Sequence, residues 1–573
     1  MGGVEVGQVV SVYGRNTVKI AVPEDKLPLV SRHGTYLRLE DVEGKPLYAI
    51  TVGYYMRDEI YTSAGIIEAE GYAGLSRSRI ELSAKIVGFM EKNTVKKGAV
   101  SPPRPGSKAY LASKEELENI MGRELLEIGV LTYAKVHFTL NLDMLASRHL
   151  AVLAMTGAGK SNTVAVLLAE ILGKTRYPRV LVIDTHSEYV PLARLDPERV
   201  HVYAPSGKIE ELLRERYGVE PSRLEIPLWS LGFEEIAGLL GLDSRASKQR
   251  LLLWNILHSL RRSKWPDASA DDPIFFEAER LPEEVETLGK SGKGKSGNRG
   301  GDAKSISDLA FKLRSFIDNP DMDFITRTER DVEIYERLRE TVEEPYLSGR
   351  VFLETYRRMF QPGINIVALG GLPSEVQVST ASTILKALWR IATAHAQAGH
   401  AMPVMVFVEE AHVYASAHRE QPSKQILEKI AKEGRKFGVG LAVVSQRPRE
   451  LSQTLLAQCG TLIALRTSNP EDQKHIMRSI EDIMEELVDS LAGLSVGEAI
   501  VSGSAAPLPA VVKVHNFTEK YKIELGGKDI RWHEEWAREP VDTDIVPYLY
   551  ARARRKRVEE GRGRGLLEYI DGG

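Results

Sequence analysis

Residues His149–Leu172, HLAVLAMTGAGKSNTVAVLLAEIL, constrain the fold of this chain more than any other stretch. A short apolar run breaks into a glycine-rich turn, and the turn opens directly into a helix. That is a strand–turn–helix unit of an α/β sheet. Such a turn aims consecutive backbone N–H groups and the positive end of a helix dipole at one spot, which suits a polyphosphate. Thr156, Gly157, Ala158, Gly159, Lys160, Ser161 and Asn162 are therefore read as the nucleotide-binding loop. Lys160 is expected at the β- and γ-phosphates and the Ser161 hydroxyl at a magnesium ion, with ATP and Mg2+ as the ligands.

Ala154 stands where such loops usually begin with glycine, and it is small enough to leave the turn to Gly157 and Gly159. A second stretch, Gly289–Ser296 (GKSGKGKS), fits the loop pattern letter for letter. It has no apolar strand before it and no amphipathic helix after it. It lies in a Gly/Lys/Ser run over 288–305 that cannot bury enough apolar surface to fold. Lys295 is therefore set aside as a decoy in favour of Lys160.

The texture on either side of the loop divides the chain. Residues 1–100 carry short β-branched runs broken by turn residues (VGQVVSVYG, TVKIAV, GTYLRLED, PLYAITVGYYM), which predict a small β-barrel or sandwich. Pro102, Pro103, Pro105 and Gly106 read as a linker. Short strands apolar on both faces then alternate with helices (HLAVLAM, RVLVIDT, INIVAL, PVMVFVEE, VGLAVVSQ, TLIALR, GEAIVSG), so a mostly parallel, doubly covered sheet is expected over 101–205 and 361–515. Residues 206–360 lose the strand pattern and read as a helical insertion (SKQRLLLWNILHSLRR, SISDLAFKLRSFI, EPYLSGRVFLETYRRMF), and 516–573 as a charged tail.

The second half of the site is PVMVFVEEAHVY, where an apolar strand ends in two carboxylates. In an α/β sheet that strand end is where ligands bind. Glu409 is assigned to the magnesium shell and Glu410 to orienting and deprotonating the attacking water; an acidic helix start is the structural alternative. VGLAVVSQRP ends its strand in Ser445-Gln446, placing an amide to sense the γ-phosphate or the water, with a plain polar strand-to-loop transition as the alternative. RVLVIDTHSEY supplies Asp184 as a further acid near the magnesium and water. In EKIAKEGRKFG, Arg435 or Lys436 either complements a helix C-terminus stopped by Gly438 or reaches a neighbouring subunit as an arginine finger.

At 573 residues, 43% hydrophobic and 27% charged, the chain has the composition of a globular protein of two to four domains. The single cysteine, Cys459, excludes a disulfide framework and a cysteine-based zinc site. With no signal peptide and no run of roughly 20 apolar residues, no membrane association and a cytoplasmic location are expected. The formal net charge of −3 does not advertise nucleic-acid binding, but a ring around DNA needs positive charge only along its channel. Basic clusters at Arg261, Arg262 and Lys264, over 288–305 and at Arg552–Arg557 read as solvated faces or linkers before DNA contacts.

MTGAGKSNT, VLVIDTHSEY, FVEEAHVYAS, KEGRKFGVGLAVVSQRP and the N-terminal VGQVVSVYG segment, in this order, resemble the archaeal HerA family, hexameric DNA translocases of the FtsK–HerA branch of RecA-like P-loop motors. The resemblance implies a RecA-like mostly parallel core with a helical insertion, preceded by a HAS-barrel, in a ring of six subunits with ATP between them. By carry-over, Lys160 and Ser161 bind phosphate and magnesium, Glu410 is the catalytic glutamate, Arg435 the trans finger and Gln446 the sensor. Arg148 is another arginine near the nucleotide. The family pumps double-stranded DNA and works with a NurA nuclease in end resection. That implies nuclease docking at the barrel and a tail (516–573) that braces the neighbouring subunit. A ring ATPase that remodels protein, and a slow P-loop switch, are the competing readings.

Overall fold

In the computed structural model, β-branched alternation builds the N-terminal unit. Its strands are β1 (Glu5–Tyr13), β2 (Thr17–Ala21), β3 (Tyr36–Glu40), β4 (Pro46–Asp58), β5 (Ser78–Glu91), β6 (Thr94–Lys97) and β7 (Lys108–Leu111). The order is β2-β1-β7-β3-β4-β5-β6, and β2 also pairs with β5, so the sheet closes on itself with β6 outside the ring. Val18, Ile20, Leu37, Leu39, Leu82 and Ile86 point into its buried interior. The stretch read as a linker is a turn of this barrel. Gly106 adopts φ +85°, its N–H donates to Val9 at 2.7 Å, and the chain re-enters as β7. The barrel therefore extends past residue 100. The described residues are 3–14, 16–58, 78–91, 94–98, 101–291, 299–479, 485–527 and 532–537.

The second sheet has 12 strands in the order β13-β12-β14-β11-β15-β16-β10-β17-β18-β19-β8-β9. They are β8 (Leu126–Leu131), β9 (His137–Leu140), β10 (Leu150–Leu153), β11 (Arg179–Asp184), β12 (Val200–Ala204), β13 (Ser222–Arg223), β14 (Gly363–Ala368), β15 (Val404–Val408), β16 (Val439–Ser445), β17 (Thr461–Leu465), β18 (Glu498–Gly503) and β19 (Ala510–Val514). From β13 to β17 all neighbours are parallel; β17 to β9 is an antiparallel extension. β10, β14, β15, β16 and β17 are buried along their whole length, as their largely apolar sequences require. Helices Lys160–Lys174, Ser374–Gln397 and Pro422–Phe437 cover them. The last starts on Pro422 and stops at Gly438, φ +75°.

Between β13 and β14 the chain is helical, with Ser247–Lys264, Arg280–Ser291, Arg299–Ile317, Arg330–Leu338 and Tyr346–Arg357 as its longer helices. Its core joins Trp229, Phe275 and Phe352. Arg261, read as part of a solvated basic face, is fully buried there and donates to the carbonyls of Trp229 (3.0 Å) and Leu231 (2.6 Å). Cys459 is buried between helix Gln453–Ala457 and β17. Lys295 and the tail's basic run Arg552–Arg557 lie outside the described residues, while both ends of the run expected not to fold, 288–291 and 299–305, are continuations of the flanking helices. Among the described residues no helix is long and apolar enough to cross a membrane.

The barrel rests on the antiparallel end of the second sheet. The Tyr36 hydroxyl donates to the Pro509 carbonyl and Lys97 Nζ to that of Gly503. Gly34, at φ +89°, leaves room for Val511, whose methyl would lie 2.6 Å from an added Cβ.

Candidate functional site

Parallel pairing puts the C-terminal ends of β10, β11, β15 and β16 side by side, and each end contributes a polar group. After β10, Gly157 (φ +75°) and Gly159 (φ +105°) make the turn, and the helix begins at Lys160. A Cβ on Gly159 would touch Gly497 at 3.4 Å, so the loop is backed by the β18 entry turn, where Gly497 N–H donates to the Ala158 carbonyl at 3.0 Å.

Lys160 is only 6% exposed. Its ammonium is paired with Glu410 Oε1 and lies 3.7 Å from Glu409 Oε1. Gln446 donates from Nε2 to the same Glu410 oxygen at 2.7 Å, and its carbonyl accepts the Thr156 hydroxyl at 2.6 Å. The expected loop, acid and amide thus form one connected group. Glu410 itself adopts φ +46°, ψ +48°, a left-handed conformation that costs a non-glycine residue about 1–3 kcal/mol and marks a constrained site.

Two buried carboxylate oxygens in this group, Glu409 Oε1 and Glu410 Oε2, have no hydrogen-bond partner among the described residues. Buried acceptors of that kind call for a ligand, water or ion. Together with a buried cation and a glycine turn at a helix start, they fit a magnesium-bound triphosphate and an attacking water. His412 Nδ1 lies 3.3 Å from Glu410 Oε2 and 3.1 Å from the Ser445 hydroxyl. Burial pushes the His412 pKa down, with the Glu410 charge opposing.

Asp184 and Asn162 each also hold a neighbouring segment in place. Asp184 is fully buried, and its two oxygens accept Glu188 N–H and Tyr189 N–H, each at 2.9 Å, closing the turn after β11. Burial pushes its pKa up to about 6, against those two bonds and a hydrogen bond with Glu409. Glu409 is held well above the usual carboxylate range by burial and by the Asp184 charge, with Lys160 opposing. The Asn162 amide donates to the His515 carbonyl at 2.8 Å and accepts Phe517 N–H at 2.7 Å, tying down the segment that follows β19.

Arg435 and Arg148 stand at the opposite, N-terminal edge of the parallel strands. Arg148 caps helix Leu142–Ser147 just before β10, and Arg435 ends the helix leading into β16. Both are exposed. Arg435 lines a cavity of about 500 Å3 with Asp143, Tyr177 and Met405, and has no ion pair among the described residues. A β-strand rises about 3.3 Å per residue, so the sheet separates both arginines from their own Lys160. Glu188, not assigned by the sequence reading, does reach the loop: its carboxylate accepts the Ser161 hydroxyl at 2.5 Å.

Residues 126–388 match the family model described as the central domain of helicase HerA, and residues 388–520 that of the helicase HerA-like C-terminal domain. The chain is 32% identical over 452 residues to a probable helicase of Methanocaldococcus jannaschii, covering 77% of this chain and 76% of that one. It is 30% identical over 507 residues to the DNA double-strand break repair helicase HerA of Pyrococcus furiosus, covering 82% and 84%. Among solved structures, VirB4 of Thermoanaerobacter pseudethanolicus aligns at 15% identity with a TM-score of 0.47, covering 69% of this chain and 96% of that one.

Proposed function

The chain belongs to the HerA helicase family, and on that premise we propose that it is an ATP-driven translocase of double-stranded DNA acting in break repair. It is an ATP-hydrolysing enzyme of the helicase class. The finer reading is a homohexamer that works with a NurA-type nuclease docked at the N-terminal barrel to resect DNA ends. One observation carries the ATPase assignment: Lys160, Glu410, Gln446 and Thr156 form a single hydrogen-bonded group across two neighbouring strand ends and the glycine turn.

In this reading the loop amides and Lys160 bind the phosphates, and Ser161 with Glu409 holds the magnesium. An ion held there would supply charge neutralisation at the phosphates. Glu410 releases Lys160 to the phosphates and orients the water with its second oxygen. Gln446, bonded to both Glu410 and Thr156, keeps the acid in register with the turn. Arg435 and Arg148, on the far edge of the sheet, complete a neighbouring subunit's site. Gripping the DNA backbone requires no base readout, so binding is salt-sensitive and sequence-tolerant.

The test is steady-state ATP hydrolysis with and without linear duplex DNA, in wild type, Lys160→Ala, Glu410→Gln and Lys295→Ala, with assembly followed by light scattering. DNA-stimulated turnover lost in the first two variants and kept in Lys295→Ala is the expected result. Turnover indifferent to DNA in intact rings would move the substrate to protein and overturn the translocase reading.

A further inference from the structure

Ser161, the magnesium-binding hydroxyl of the reading above, donates to Glu188 Oε2 at 2.5 Å. Glu188 is fixed from both sides. Behind it, the turn after β11 runs through Ser187 at φ +59°, and Asp184 gathers the Glu188 and Tyr189 amides. In front of it lies the segment after β19, which follows helix Lys160–Lys174. Lys520 Nζ and the Tyr521 hydroxyl reach Glu170 Oε1 at 2.9 and 3.1 Å, and Gly526 N–H donates to the Glu188 carbonyl at 2.9 Å.

Two glycines end that segment, packed against Glu188. A Cβ on Gly527 (φ +75°) would lie 2.8 Å from Glu188 Oε1, and one on Gly526 would lie 2.9 Å from Glu188 Cα. The Gly526-Gly527 turn therefore packs directly on the carboxylate that accepts the Ser161 hydrogen bond.

A hydroxyl binds a divalent cation through an oxygen lone pair and keeps its hydrogen to donate. An anionic acceptor for that hydrogen orients the oxygen and strengthens it as a ligand. Glu410 is engaged with Lys160 and Gln446, and the Ser161 hydroxyl donates to Glu188 rather than to either acid after β15. We propose that Glu188 is the positioning residue that orients the Ser161 hydroxyl toward magnesium, and that the Gly526-Gly527 turn holds Glu188 in place for it. The proposal rests on the ATP–magnesium reading of this loop and adds to it an acid from a different strand and a contact from the C-terminal segment.

The test is equilibrium binding of ribose-labelled fluorescent ADP to the full chain, in EDTA and over free Mg2+ from micromolar to millimolar. Glu188→Ala is expected to need about 10–100-fold more Mg2+ to reach its high-affinity state, with unchanged affinity in EDTA. Glu188→Gln, a neutral acceptor, restores part of the shift. Gly527→Ala moves the Mg2+ midpoint the same way with the carboxylate still present. An unchanged midpoint in Glu188→Ala overturns the role of Glu188, and an unchanged midpoint in Gly527→Ala overturns that of the turn. Should Glu188→Ala lose binding even in EDTA, Glu188→Gln and Gly527→Ala decide, and no shift in either rejects the proposal. Failure of the wild type to bind the nucleotide at all would instead remove the ATP reading beneath it.

Discussion

Gln446 Nε2 donates to Glu410 Oε1 at 2.7 Å, on the same oxygen that receives the Lys160 ammonium. One carboxylate oxygen thus carries two donors, and the other, Oε2, is left buried and unbonded. In the proposed hydrolysis, the amide fixes which oxygen would orient the attacking water. Gln446→Ala frees the carboxylate to rotate and also strands Thr156. Hydrolysis is expected to fall about a hundredfold, the size of one lost oriented polar group, with nucleotide KM nearly unchanged. Steady-state kinetics check this, and a wild-type kcat in Gln446→Ala would remove the amide from the mechanism.

Glu410→Gln keeps the shape of the side chain and removes its basicity. Positioned general bases contribute about 10²–10⁴-fold, so hydrolysis is expected to drop by that order while labelled ADP still binds. Loss of binding and hydrolysis together would show that Glu410 serves the fold through its pair with Lys160, because removing one partner of a buried pair is strongly destabilising.

The glycine turn, the paired acids and the strand ending in Gln446 were legible because each is a local event: an apolar run, then a polar break. What was not legible joins distant positions. Ser161 and Glu188 meet only because β10 and β11 end at the same edge of the sheet, and Gly526 meets Glu188 only once β19 has paired with β8. Asp184, read as an acid near the magnesium, also closes a turn, its oxygens accepting Glu188 N–H and Tyr189 N–H, which the residue type alone did not announce. Among the strands, β12 escaped notice because His201 interrupts its buried Val200 and Val202. The prolines before β7 looked like a linker because a barrel turn and a linker share the same composition.

His149, just before β10, is buried and held neutral: Leu441 N–H donates to Nδ1 at 3.1 Å, and Nε2 lies 3.0 Å from the Ala431 carbonyl. Burial lowers its folded pKa. The unfolded chain therefore binds this proton first as pH falls, and the stability it supports is full above about pH 6.5 and lost as pH drops through the folded pKa. Asp184 acts in the opposite sense near pH 6, since its folded pKa is raised. The comparison is therefore made between His149→Gln and wild type, where Asp184 cancels. The midpoint of thermal unfolding is expected to fall less between pH 7.5 and 5.5 in the variant. Equal slopes would show that the ring is not held neutral in the fold.

Arg435 is exposed on the N-terminal edge of the strands, beside a cavity of about 500 Å3, with the sheet between it and its own Lys160. If it stabilises charge on phosphate, it does so for a neighbouring chain. In the proposed ring, Arg435→Ala and Glu410→Gln would each leave every interface of a uniform assembly defective. In a mixture, an interface formed by the Glu410 side of an Arg435→Ala subunit and the Arg435 side of a Glu410→Gln subunit has both groups intact. Mixing the two inactive proteins is expected to restore part of the wild-type hydrolysis, greatest near equal proportions. Subunit exchange must be shown first by energy transfer between differently labelled chains. With exchange demonstrated, a mixture as inactive as its parents at every ratio would place Arg435 outside the neighbour's site and leave it as a cation complementing the end of its own helix.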